Sequence, residues 1–453
     1  MASNLLKTFE KIERGRLKCI AKATEVDFPL PEDASLEKIA QCIDNQGHID
    51  TYIKELKAML TGDYTILDNP DTFRFPADIQ AIGATSANDI RAKDIILPES
   101  LSTIGESACQ NWWSLEGDLI LPEGLTSIGQ NAFQRLGQMN GCGTVTIPST
   151  VNSIGINAFE GHGARVFNFN ANMTKIPQSI CEAFTTSTSA TSSSYAFLEE
   201  FNIPDEILNN ITEVGASAFR YQKNLKKLPI PPNATTIGSY AYAYCAPTEK
   251  VVIPSTFKAD LDYYNYTYTN FKGGFEIEDG GPTKLDEYAF DHAVFNQDRL
   301  IFPESIYYFP NYCLQYISGN LDHTNGSTTY KVIPRVDILH KDKLNISYGM
   351  LSYAKIKTLV IHASNLTYIN ANGRVFQYTH FIDELVFPNA PATPPGIGGS
   401  TFNNGTPKAI YLPDAYVSAY KSASGWSTGS SAMKPISQWP GYAEYLEEFG
   451  GAE

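Results

Sequence analysis

Cationic side chains are scarce in this 453-residue chain. Lys and Arg number 34 against 49 Asp and Glu, for a formal net charge of −15. That balance disfavours binding to nucleic acid or to an anionic lipid surface. Cysteine is sparse too. The seven residues are an odd number with no Cys-x-x-Cys pair, which indicates neither a zinc site nor a full disulfide framework. No stretch approaches the roughly 18 apolar residues of a membrane span, so membrane insertion is not expected. The start, Met1-Ala2-Ser3-Asn4-Leu5-Leu6-Lys7, has no basic segment followed by a long apolar run, and no secretory signal is visible.

Signatures of catalysis are equally thin. None of His48, His162, His292, His323, His340, His362 and His380 lies three or four residues from another, so no helical metal pair exists. His162, in Gly161-His162-Gly163, reads as a surface or structural histidine. Glu276, Glu278 and Asp279 before Gly280-Gly281 match no calcium-loop spacing and read as a solvated acidic loop. Gly396-Ile397-Gly398-Gly399-Ser400 lacks the Gly-Lys-Ser/Thr ending of a phosphate loop, and no Gly-x-Ser-x-Gly elbow occurs. No catalytic residue, cofactor or metal is assigned. An enzyme, such as a glycan hydrolase, is the least favoured class, because nothing pins two carboxylates at a working separation.

What is plentiful is Asn, Ser, Thr and Tyr, an uncharged polar surface typical of extracellular binding proteins. A phrase also recurs at nearly fixed pitch. It reads Leu97-Pro98 through Ile104-Gly105, Leu121-Pro122 through Ile128-Gly129, and Ile147-Pro148 through Ile154-Gly155, with prolines 24 and 26 residues apart. Such a period, with aliphatic residues at fixed offsets, is the mark of a solenoid. In the second copy Leu119-Ile120-Leu121 reads as a buried strand closed by Pro122, which has no amide hydrogen. Leu125 and Ile128 turn inward, Gly129 allows a tight turn, and Ala132-Phe133 close the coil. Ala158-Phe159, Ala218-Phe219 and Ala289-Phe290 repeat the closure, and Cys109 stands where Phe133 stands, as a buried thiol. One coil cannot bury enough to fold alone, so stability must come from its neighbours. Ten to twelve coils are expected over residues 76–412.

The motif strand-Ile-Pro followed by Ile-Gly-x-x-Ala-Phe, best quoted by Ile147-Pro148 through Ala158-Phe159, resembles the BspA-type leucine-rich repeats of gut bacteria and some protists. The segment Tyr411-Leu412-Pro413-Asp414-Ala415-Tyr416 through Gly425-Trp426 and Lys434-Pro435-Ile436 is similar to the ending such arrays carry. The resemblance implies a β-rich leucine-rich repeat solenoid and surface adhesion. It supplies no shared catalytic residues. Bacterial members usually look exported, and this chain departs from them there.

Residues 1–75 do not repeat. Helical spacing at Leu5, Leu6, Phe9 and Ile12, a capping Ser35 and a second helix near Ile49 to Leu60 predict a small helical module. Its role is either an N-terminal cap or an attachment and oligomerisation module. Leu30-Pro31-Glu32-Asp33-Ala34-Ser35-Leu36 resembles N-terminal parts of structural proteins from phages of gut Bacteroides. Residues 413–453 are expected to form a C-terminal cap with an acidic surface helix from Tyr442 to Phe449.

From Pro254 to Pro303 the period roughly doubles, and the interval holds Tyr263, Tyr264, Tyr266 and Tyr268 among Asn and Thr. Tyr gives rigid amphipathic contact area, while Asn and Thr give adaptable hydrogen bonds. These tyrosines are candidate ligand contacts, and Trp112 and Trp113 are a second pair. The alternative is that they pack an irregular coil. Thr185 to Ser194 reads as a flexible loop. The expected function is non-enzymatic recognition of a cell-surface glycan or protein, by a phage fibre, spike or decoration protein or by a bacterial surface adhesin. A structural virion scaffold, held to other virion proteins or to further copies through residues 1–75, is the remaining reading. The expected location is the virion or the cell exterior.

Overall fold

Pro122 ends the strand Leu119–Ile120, and each later copy of the phrase repeats that step on its neighbour. The computed structural model describes residues 71–75, 77–184, 196–261, 263–325, 328–368, 381–396 and 405–450, with Phe376, Tyr378, Thr379 and Phe402. These residues form a parallel β-solenoid of about 14 turns with little helix.

Two parallel ladders run along it. The first stacks the strands ahead of the prolines: Leu119–Ile120 pairs with Cys142–Ile147, which pairs with Ala164–Phe169, which pairs with Glu200–Asn202. The second stacks two-residue strands ahead of the glycines, from Ala81–Ile82 through Thr103–Ile104 and Ser127–Ile128 to Ser153–Ile154. The remaining side is the Gly-x-x-Ala-Phe turn, whose amides also bond from coil to coil. Asn131 N–H donates to the Ile156 carbonyl at 3.0 Å, Phe133 to Ala158 at 2.7 Å and Arg135 to Glu160 at 2.9 Å. Many backbone donors of such a coil thus find their partner one repeat away, and this is why the unit must be repeated.

Leu125, Ile128, Ala132 and Phe133 fill the interior, where Phe133 stacks on Phe159 at 5.1 Å. Cys109 is buried at the equivalent position, and burial raises its thiol pKa well above the ordinary range. Gly129 has a different reason from the turn expected of it. Its φ is not positive, and a Cβ there would lie 2.5 Å from the Gly105 carbonyl carbon. Gly155 is the same, 2.3 Å from the Gln130 nitrogen. The glycines let adjacent coils touch backbone to backbone.

The array extends beyond the expected residues at both ends. Thr72–Arg74 pairs with Asp94–Ile96, so the first described coil begins ahead of residue 76. Met433–Pro435 pairs with Ala409–Leu412 and carries the ladder past Leu412. The interval from Pro254 to Pro303 is not a break. Phe275–Ile277 pairs in register with Val251–Ile253, as a regular coil whose strand ends at Glu278 without a proline. Loss of that one punctuation mark made two periods look like one. The true insertion is an antiparallel hairpin, Leu321–Asn325 against Thr328–Ile338. The expected helical module, the phage-like segment Leu30 to Leu36 and the loop Thr185 to Ser194 lie outside the described residues.

The C-terminal helix Tyr442–Phe449 is present. It packs, with Trp439, on the outer side of the first sheet over Val360, Val386 and Tyr411. Asp337, fully buried in that sheet, binds Arg299 at 2.6 Å and Arg335 at 2.9 Å. Arg299 in turn reaches Glu448 on the helix at 2.6 Å.

Candidate binding surface

Among the described residues most turns carry a left-handed backbone at two positions four residues apart. In the early coils the chain meets this demand with Ser107, Asn111, Asn131, Arg135, Asn157 and Gly161. Asn and Gly tolerate that conformation with little penalty, since a bulky Cβ crowds the next carbonyl. From Tyr221 onward the choice changes. Among the described residues ten tyrosines and His292 hold a positive φ, from Tyr221 at 66° to Tyr378 at 58°. A non-glycine residue in this region costs on the order of 1–2 kcal/mol.

These rings form two rows along one side of the solenoid. In one, Tyr240, Tyr264, Tyr288 and Tyr312 stack at 4.9, 4.8 and 5.3 Å. In the other, Tyr221, Tyr244, Tyr268, His292, Tyr316, Tyr353 and Tyr378 stack at 4.3–4.9 Å. At one coil per step the longer row spans about 28 Å. The rings are half-buried, with their faces mostly covered by each other, so they present edges and hydroxyls. Stacking returns roughly 0.5–1.5 kcal/mol per pair, about what the backbone strain costs. Strain and stacking alone therefore do not favour Tyr over the smaller polar residues that hold most of these positions in the early coils.

Arg220 closes one end of the furrow between the rows, 4.7 Å from the ring centroids of Tyr221 and Tyr240 and 5.7 Å from Tyr244. Glu182 holds it at 3.5 Å. Toward the N-terminus the same position becomes a hydrogen-bonded file, Gln110 to Gln134 and Gln134 to Glu160. At the other end the first row loses a ring, because Gly349 takes the left-handed position and Tyr348 stands edge-on to Tyr312 at 85°. There a cleft of about 320 Å³ opens, lined by Tyr288, Tyr312, Tyr348, Tyr353 and Tyr378 over Gln315 and Ser352. Burial above all raises the phenol pKa values of Tyr240, Tyr244, Tyr264, Tyr268, Tyr288 and Tyr312, to about 12 for Tyr244, so these hydroxyls stay neutral.

The candidate residues divide on this surface. Tyr264 and Tyr268 stand in the two rows, and Tyr263, 40% exposed, packs edge-on against Tyr264 at 4.2 Å. Tyr266 is a core residue, buried between Tyr242 and Phe290 at 5.4 Å from each. Alternation within the coil explains this: the odd tyrosine of the three turns inward at the Phe133 position. Trp112 is likewise buried, its indole N–H donating to the Ala87 carbonyl at 2.6 Å. Trp113 is exposed but sits several coils away from the rows. Reading the sequence missed most of the rows. The signal was there as Tyr-x-x-x-Tyr at 240/244, 264/268 and 312/316 and as its offshoot 288/His292, in phase with the Ala-Phe closures.

Other candidates have structural employment. His162 is buried, accepts the Ala164 N–H at 3.1 Å, and burial lowers its pKa to about 4. Glu278 and Asp279 accept the backbone N–H groups of Ser255 and Ser305, both at 2.9 Å, and Glu276 pairs with Lys250. Among the described residues no group of three or more His, Cys, Asp or Glu is arranged to hold a metal ion. No described helix is long and apolar enough to cross a membrane.

Residues 67–191 and 190–322 match a sequence profile described as BspA type leucine rich repeat region, in six copies. The chain belongs to the BspA-type leucine-rich repeat family. The BspA-type array is also similar to solved structures. A leucine-rich repeat protein from Bacteroides ovatus ATCC 8483 is 16% identical over 83% of this chain and 86% of its own, with a TM-score of 0.46. A leucine rich cell surface protein from Faecalibacterium prausnitzii A2-165 is 14% identical over 82% and 92%, with a TM-score of 0.30. The pneumococcal vaccine antigen PcpA is 13% identical over 81% and 78%, with a TM-score of 0.31. A search of curated proteins finds no match. The matched family is one of repeats and brings no catalytic signature to this BspA-type chain.

Proposed function

We propose that this BspA-type protein is a non-enzymatic recognition protein of the cell surface, which engages a glycan or protein through its tyrosine rows. One observation carries the reading. Left-handed positions that Ser, Asn, Asp, Thr, Arg and Gly fill in the early coils are given to Tyr in consecutive later coils, on one face. Strain kept without structural return marks a functional surface. Tyr is also the side chain that gives most contact area for least lost freedom. The family takes its name from a bacterial surface protein, and the acidic, lysine-poor composition suits that setting.

The test is binding to arrays of printed glycans and extracellular-matrix proteins, comparing the full chain with the fourfold variant Tyr264→Asn, Tyr268→Asn, Tyr288→Asn, Tyr316→Asn. Asn keeps the left-handed turn, so the fold is retained. Loss of array binding by the variant supports the reading. Equal binding by both proteins removes the rows from recognition.

A further inference from the structure

The cleft where the first row loses its ring has a chemistry of its own. No Lys, Arg, Asp or Glu lines it, and its polar groups are five phenols, the Gln315 amide and the Ser352 hydroxyl. Tyr348 stands edge-on to Tyr312 at 5.4 Å, and Tyr353 stacks on Tyr378 at 4.6 Å. A phenol hydroxyl can both donate to and accept from a ligand. At about 320 Å³ the cleft lies at the low end of small-molecule sites.

We infer that this cleft seats a neutral sugar unit of a linear oligosaccharide, whose chain continues along the furrow between the tyrosine rows. The inference rests on the recognition reading given above and names its ligand class. A peptide strand is a poorer fit, because strand addition needs an unpaired backbone edge. Here the backbone is already committed: Tyr312 N–H donates to Tyr348, Leu314 to Met350 and Tyr316 to Ser352, at 3.4, 3.0 and 2.9 Å. A charged ligand would meet no counter-charge in the lining, and an anionic one would meet a chain of net charge −15. A pyranose presents a rim of hydroxyls, which matches a lining whose polar groups are phenols, an amide and a hydroxyl. Each further sugar meets a fresh pair of rings, since one sugar unit spans close to one coil step.

Calorimetric titration of the full chain with linear oligosaccharides of glucose, galactose, mannose and xylose tests this, with uronic-acid and sulfated series beside them. The compared variants are Gln315→Ala, Tyr353→Asn (which keeps its left-handed turn) and Ile120→Ser, a control on the exposed outer side of the first sheet. At least one neutral series is expected to bind, with affinity rising with chain length. Gln315→Ala or Tyr353→Asn should weaken it about tenfold, the worth of one or two hydrogen bonds. Ile120→Ser should not change it. Neutral binding that both cleft variants leave intact overturns the cleft assignment. Tighter binding of a charged series, or no neutral binding at all, overturns the ligand class. Neither result touches the recognition reading, which fails only if the fourfold tyrosine variant keeps its array binding.

Discussion

The Tyr268 ring lies over the His292 imidazole of the next coil, 4.4 Å between centroids and 13° from parallel. Tyr316 covers the other face of that imidazole at 4.3 Å, and Asp291 bonds its Nδ1 at 2.8 Å. A single histidine thus completes a row otherwise made of tyrosine. At Tyr268 backbone strain and ring stacking nearly cancel. Tyr268→Gly is therefore expected to change stability by no more than about 1 kcal/mol, losing two stacked contacts but relieving φ of 54°. Tyr268→Val, with a β-branched side chain at the same φ, is expected to cost roughly 2–3 kcal/mol. Thermal melts of the two variants check the ordering, and a larger loss for Gly than for Val refutes it.

Gly129→Ala places a methyl against the Gly105 carbonyl carbon, which is backbone and cannot rotate away. Neighbouring coils must separate or shear, at a cost of roughly 2–3 kcal/mol. Hydrogen exchange should show protection lost first at Thr103–Ile104 and Ser127–Ile128, the pair of strands the methyl wedges apart. Wild-type protection there would show that the contact has slack.

Asp337 anchors the C-terminal helix through Arg299, Arg335 and His362. Burial opposes its ionisation, but hydrogen bonds from His362, Arg299 and Arg335 outweigh this and hold its pKa below the ordinary carboxylate value. A lowered folded pKa gives stability that is present above the unfolded value, near 3.8, and is lost as pH falls through the folded one. Helix anchoring should accordingly weaken below about pH 4. Asp337→Ala at neutral pH leaves Arg299 and Arg335 with only the more exposed Glu444 and Glu448 on the helix and should cost up to about 3 kcal/mol. Limited proteolysis between Trp439 and Tyr442 reads both effects.

His162 works in the opposite chemical sense. Its folded pKa of about 4 lies below the ordinary imidazole value of 6.5, so the unfolded chain takes up the proton first as pH falls. The stability tied to neutral His162 is complete above 6.5 and drains away between 6.5 and about 4, by up to about 3 kcal/mol. His162→Gln should melt closer to wild type at pH 4.5 than at pH 7. A constant difference between the two proteins at both values would show that the imidazole does not titrate with folding.

Much of the coil was legible because it obeys short-range rules. Proline after the strand, aliphatics at fixed offsets and the Ala-Phe closure each have one physical cause, and they lie in the structure as the sequence implies. What was not legible depends on neighbours. Whether Tyr266 points in and Tyr264 out is decided by the phase of the coil, which the missing proline at Phe275–Ile277 hid. The need for glycine at Gly129 comes from Gly105, a whole repeat away. The rows themselves are contacts between residues about 24 apart, and no local pattern reports such contacts unless the repeat is aligned first. Trp112 shows the same limit: its neighbour Trp113 is exposed while it fills the core.

The final strand, Met433–Pro435, is three residues long and ends on a residue with no N–H to offer. A longer final rung with open amides would invite another molecule to dock end to end, and such growth has no natural stopping point. Among the described residues the ladder instead ends on a short rung that leaves few open amides for a further strand to pair with.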